Sequence, residues 1–228
     1  MAITIRNDPY HCQVQKRSLS FLPVSPPAVT PPKRTRRPSS ETRIHVLGIA
    51  RDLFYWEGIH ATGVDRVVAA AGIGPTTLYR LFASKDDLVA AYVEDSAAGY
   101  REFILSVTDA SAGTPRERIL ALFDATLEML GPEQCRGCPF LQALAEYPDP
   151  DSAVHRACAT IKAWVRTRLH ELVADLDVAD PELLGDQLAL VLEGVYASVA
   201  ALTVTGPATR ARRAAETLID AALAVGSA

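Results

Sequence analysis

Between Val64 and Leu88 the apolar positions switch from one helical face to a break and back again. Val64, Val67, Val68 and Ala71 recur at helical spacing and form one apolar stripe. Gly72-Ile73-Gly74 interrupts it, since glycine takes up the left-handed conformation of a helix end without strain. Pro75 restarts a helix from its first position, where the missing N–H is no loss. Ile73, Leu78 and Phe82 then face inward, leaving Thr76, Thr77, Tyr79 and Arg80 on the open side. Two short helices around a glycine turn, the second presenting hydroxyls and a guanidinium, are the parts of a helix-turn-helix that enters a DNA major groove.

The helical period continues on both sides. A first helix is predicted from Ser40 to Trp56, with Ile44, Leu47, Ala50, Leu53 and Phe54 inward, Arg43 and Arg51 outward, Ser39 or Ser40 as cap and Gly58 as its end. Thr62 is the expected cap of the second helix. After the turn motif come a long fourth helix from Lys85 to Thr108 and a fifth from Thr114-Pro115 to Leu130. A short sixth follows Cys138-Pro139, a seventh runs from Asp151 to Asp175, an eighth from Pro181 to Thr205 and a ninth from Ala208 to Val225. The expectation is all-α. An N-terminal three-helix helix-turn-helix domain covers 39–93 and a helical domain covers 94–228. The last two helices are apolar enough to want a partner surface.

Composition supports a core and changes the charge picture. Apolar residues are 49% of 228, concentrated in the helical runs. No run reaches the ~18–20 residues a membrane helix needs, and no signal-peptide pattern precedes the folded part, so a cytoplasmic protein without membrane contact is expected. Net charge is −4, yet residues 1–39 carry seven basic side chains and one acidic, while 95–228 carry eleven basic and nineteen acidic. The proline-rich stretch 1–38 reads as a disordered tail. It ends in Lys33, Arg34, Arg36 and Arg37, either a solvated charge run or an arm reaching phosphates or the minor groove.

From Glu41 to about Val93 the chain resembles the DNA-binding domain of the tetracycline-repressor (TetR) family. The resemblance is carried by Gly58, Ala71-Gly72-Ile73, Thr77-Leu78-Tyr79-Arg80-Leu81-Phe82 and Ser84-Lys85-Asp86. It implies base-edge contacts from Pro75, Thr76 and Thr77, and phosphate contacts from Tyr79 and Arg80. Lys85 at a helix N-terminus and Thr62 beside Gly63 join the phosphate set. Gly63 and Leu81 depart from the family, which usually carries Ser or Thr at the first and often a polar residue at the second. The resemblance further implies a homodimer through the last two helices, a palindromic double-stranded operator, and release by a small-molecule ligand, most simply in a repressor. It implies no catalysis, no cofactor and no metal.

Cys135 and Cys138 form a Cys-x-x-Cys pair with three readings. Zinc needs four ligands as a rule, and with no second Cys-x-x-Cys or His pair only Cys158 and His155 stand near enough to complete the set; a thioredoxin-type activity would want a βαβ unit; a compact helix entry needs only a buried Cys138. A redox or electrophile sensor or enzyme built on both thiols is the rival function. The Gly-Cys-Pro-Phe segment resembles a subset of TetR-like regulators. Expected liners of a ligand cavity are Phe103, Phe123, Cys138, Leu141, Trp164 and Tyr196, with the isolated polar groups Glu146, His155 and Glu193. A carboxylate on an apolar face, as at Glu193, needs a partner.

Overall fold

The computed structural model describes residues 39–109, 113–130, 135–203 and 205–226. The predicted tail 1–38, with Lys33, Arg34, Arg36 and Arg37, lies outside them. Every regular element among the described residues is helical: α1 Ser39–Glu57, α2 Val64–Ala71, α3 Pro75–Leu81, α4 Lys85–Thr108, α5 Pro115–Met129, α6 Pro139–Glu146, α7 Ala153–Ala174, α8 Pro181–Leu202 and α9 Ala211–Gly226, with a 3₁₀ turn at Pro207–Arg210.

The ends follow from local chemistry. Thr114 and Glu117 form a capping box ahead of Pro115, each side chain answering the other's backbone N–H. Ser152 caps α7 through the His155 N–H, so the helix begins at Ala153, two residues after the predicted Asp151, and Asp180 caps α8 through Leu183. Three expectations are corrected. Leu47, Ala50, Leu53 and Phe54 are buried in α1 as expected, but Ile44 is 71% exposed, and Val46 and Tyr55 are sealed beside them. Thr62 does not cap α2; Gly63 occupies that position with no side-chain bond. α8 stops at Leu202, where Thr203 takes φ 62°, a conformation that ends a helix and is uncommon for a β-branched residue.

α1, α2 and α3 pack together at one end, and α4 runs from them into the remaining helices. At its start Tyr92 meets Phe54 of α1 edge-on at 5.7 Å; further along Tyr100, Phe103 and Ile104 are buried among the later helices. α7 lies against α4 and α8, and α9 against α8 and α5. α7 and α8 approach closely at Gly185, where a Cβ would stand 2.2 Å from the His170 ring. Arg116 spans from α5 to Glu216 and Asp220 of α9, and Arg212 pairs with Asp124. Among the described residues Pro181–Leu202 is long and apolar enough to cross a membrane by composition. Asp186 and Glu193 interrupt the run and hid it from the sequence reading, while Leu184, Leu188, Leu192 and Val195 are buried in the bundle.

Candidate nucleic-acid interface and effector core

The α2–α3 turn is built as its glycines require. Gly72 sits at φ 65°, ψ 32°, and the N–H groups of Gly72 and Ile73 return to the carbonyls of Ala69 and Val68 at 3.3 and 3.2 Å. Gly74 precedes Pro75, and its carbonyl accepts from Thr77 and Leu78. Leu78 and Phe82, 2% and 4% exposed, pin α3 to the core. His45 Nε2 donates to the Ala71 carbonyl at 3.1 Å, tying α1 to the end of α2, and Arg66 reaches Glu57 at 2.7 Å.

That anchoring decides which side chains a duplex can meet. Pro75, Thr76, Tyr79 and Arg80 are exposed, Tyr79 by 53%, and Thr77 is half-buried beside them. These five are brought together on one short surface. Ile73 is only half-buried, and Arg43 lies over the Phe82 ring at 4.9 Å instead of simply facing out. Thr62 drops from the set: it is 1% exposed, and its hydroxyl donates to the Gly58 carbonyl at 2.7 Å, so it faces the core and not a phosphate. Lys85 is half-buried at the first position of α4. The Asp87 N–H there is taken by Ser84 Oγ, whose hydroxyl donates in turn to the Asp87 carboxylate. With Asp86 beside it, an incoming phosphate at this helix end would depend on the Lys85 ammonium more than on free N–H groups.

The expected ligand-side residues divide. Phe103, Phe123, Cys138 and Tyr196 are buried. Around Tyr100 the rings of Phe103, Phe140 and Tyr196 lie with centroids 6.2, 5.9 and 6.2 Å away. Cys138 lies beside Lys162, and Lys162 Nζ donates to both Glu193 oxygens at 2.6 and 2.7 Å. Glu193 therefore has the partner its setting demanded. Burial pushes the Cys138 thiol up, and Lys162 offsets this only in part. Burial alone would lower the Lys162 ammonium, but Cys138 and Glu193 beside it outweigh that and raise it. Cys158, also near Cys138, is pushed up to about 12 by burial. Trp164 is half-buried under the Arg101 guanidinium.

Leu141, Glu146 and His155 do not line this core. Leu141 is 43% exposed because it falls on the outer face of α6. Glu146 accepts the backbone N–H groups of Ile59 and His60, and His155 Nδ1 meets the Tyr147 carbonyl at 3.0 Å. Of the two thiols in the Cys-x-x-Cys pair, Cys138 is buried while Cys135 is half-buried, its Sγ accepting the Gly137 N–H at 3.3 Å. Among the described residues no group of three or more His, Cys, Asp or Glu side chains could hold a metal. Sequence reasoning missed Tyr100, Phe140 and Lys162; the last stands one helical turn beyond Cys158, and that spacing was its available signal.

Comparison with known proteins agrees with this geometry. Residues 46–92 match the family described as bacterial regulatory proteins, tetR family. The crystal structure of SCO4454, a TetR-family transcriptional regulator from Streptomyces coelicolor, superposes with a TM-score of 0.76 at 31% identity, covering 81% of this chain and 97% of that one. A TetR-type regulator of Streptomyces avermitilis gives 0.70 at 32% identity, covering 79% and 97%. The HTH-type transcriptional regulator YjdC of Escherichia coli K12 is 27% identical over 181 residues, 78% of this chain and 93% of its own length.

Proposed function

This chain belongs to the TetR family of helix-turn-helix transcriptional regulators, and from that premise we propose that it is a homodimeric repressor released from a palindromic operator by a small molecule. The observation that carries the reading is the α3 surface: Leu78 and Phe82 are sunk into the core while Thr76, Tyr79 and Arg80 stand free. Pro75, Thr76 and Thr77 read base edges, where a threonine offers both a hydroxyl and a methyl for the thymine methyl. Tyr79, Arg80 and Lys85 hold phosphates, and Lys33, Arg34, Arg36 and Arg37 add charge from the N-terminal side.

The second copy docks on α8 and α9. Leu183, Leu190 and Leu202 are 55%, 72% and 56% exposed, and Gly194, Ala197 and Ala201 continue their face. On α9 Ala214, Thr217, Ala221 and Val225 are exposed at helical spacing. Small residues between large ones let two such pairs approach closely in a four-helix interface. The twofold axis then sets the recognition helices about one helical repeat of DNA apart. Residues 39–93 act as the reading domain and 94–228 as the effector and dimerisation domain, working in the cytoplasm.

The effector binds beside Cys138, Tyr100, Phe103, Phe140, Lys162, Glu193 and Tyr196, and acts by favouring one pose of α4. Only its differential affinity for the two poses can move the equilibrium. A thiol-based sensor using Cys135 and Cys138 is the second reading, supported by Lys162 beside Cys138, which offsets part of the upward push of burial on that thiol. Footprinting on the DNA flanking the coding region tests the main reading, with a protected inverted repeat as the expected result. No protection by the dimer at low salt would overturn it.

A further inference from the structure

The segment from Cys135 to Tyr147 grips the helix-turn-helix unit and the start of α4 at four points, none of them on Pro75–Leu81. At its start Arg136 Nη1 donates to the carbonyls of Tyr55 and Trp56 at 3.0 and 2.7 Å. These belong to the last turn of α1, whose carbonyls have no partner within the helix and carry the negative end of its dipole. The buried Tyr55 hydroxyl donates to the Gly137 carbonyl at 3.0 Å and accepts the Arg136 N–H at 2.5 Å. At the far end of α6, Glu146 accepts the N–H groups of Ile59 and His60 at 2.8 and 2.5 Å, and meets His60 Nδ1 at 2.8 Å. Tyr147 then donates to Asp86, at the start of α4, at 2.7 Å.

The α1–α2 turn is thus held on both sides, its outgoing carbonyls by a cation and its following N–H groups by a carboxylate. Between those grips the same segment is buried among the later helices. Cys138 lies beside Lys162, the Phe140 ring is 5.9 Å from Tyr100, and Gly137 packs on Ala200 of α8. A displacement of Cys138 or Phe140 therefore pulls on the end of α1, on which α2 and α3 are packed.

We infer that segment 135–147 is a strap, running in parallel with α4, that fixes the orientation of the reading head, with Arg136 and Glu146 as its positioning residues. The strap rests on the DNA-binding dimer proposed above, because orientation matters only where two heads must match two half-sites. It also gives the Cys-x-x-Cys motif a use that needs neither metal nor disulfide: its cysteines flank the arginine that caps α1.

The test compares the full-length protein with Arg136→Ala and Glu146→Gln. The first reading is amide hydrogen exchange over residues 55–60; the second is affinity for operators whose half-site spacing is changed by one or two base pairs. Helix content should be unchanged by circular dichroism. The amides of Ile59 and His60 should exchange about tenfold faster or more, and the preference for the natural spacing should flatten. Should Arg136→Ala fail to fold, Tyr55→Phe removes two strap contacts with the loss of one oxygen and carries the same two readings. Unchanged exchange, or a spacing preference as sharp as that of the parent, would overturn the strap. Failure of the parent to bind DNA at any spacing would overturn the regulator reading itself, a different result.

Discussion

Replacing Gly137 with alanine should destabilise the protein by about 2 kcal/mol, from three opposing contributions. Gly137 has φ +102°, outside the ordinary left-handed well, and an L-residue on that side costs roughly 1–2 kcal/mol. The added Cβ would stand 3.1 Å from the Ala200 Cβ, a contact relieved only if the two segments yield by a few tenths of an ångström; mild overpacking of this kind costs about 1 kcal/mol. Against these, alanine lowers the entropy of the unfolded chain and returns about 0.4–1 kcal/mol. For a folded unit of this size a loss of that order lowers the melting temperature by about 4–8 °C. Urea unfolding followed by Trp56 and Trp164 fluorescence, at equal protomer concentration for both proteins, measures the difference. Gly48 is the internal control: it lies within α1 with nothing within 4 Å of its Cβ position, so Gly48→Ala should stabilise by up to about 1 kcal/mol. A Gly137→Ala protein within about 0.5 kcal/mol of the parent would refute the backbone argument.

Thr77→Ala combined with Arg80→Ala should keep the fold and lose operator affinity by roughly tenfold or more, with the salt slope reduced by about one; mobility-shift titrations at several salt concentrations would show this, and undiminished binding would contradict the residue assignment. Leu190→Arg, at a position 72% exposed, should leave the monomer folded but weaken dimerisation about a hundredfold, each twofold-related copy losing about 1.5 kcal/mol or more. Sedimentation at micromolar concentration checks it, and a dimer of parental strength would place the interface elsewhere. The thiols give a pH dependence. Cys158 is pushed up to about 12 and Cys138 upward, both by burial, so their stabilisation is complete below the unfolded-chain value of about 8.5 and is lost as pH rises towards the folded values. Urea midpoints should therefore fall between about pH 8.5 and 10, and Cys158→Ala should flatten that fall. A variant retaining the full slope would assign it to other groups.

The helix-turn-helix was legible because each of its features is local. Gly72 at positive φ, Pro75 at a first helical position and the spacing of Leu78 and Phe82 are properties of neighbouring residues, which is why α2, the turn and α3 appear where the apolar pattern put them. Lys85–Thr108 and the Thr114 cap were equally readable. Errors arose where a residue's partner is distant in the chain. Thr62 is the local exception: it has the chemistry of a cap, but its hydroxyl turns back to Gly58 four residues earlier and the side chain is sealed. Glu146 and His155 look like stray polar groups suited to a ligand, yet Glu146 is matched by two N–H groups more than 80 residues away.

What the order of residues determined alone is therefore the all-helical chain, the geometry of the turn and the exposed face of α3, because short-range sterics and the period of burial decide these. What only the tertiary structure decided is which charges are already spoken for. Lys162 with Glu193, Arg136 with the end of α1 and Glu146 with the α1–α2 turn became visible only after folding. A buried or half-buried polar group must find a partner, and nothing in its own neighbourhood of sequence says where that partner will be.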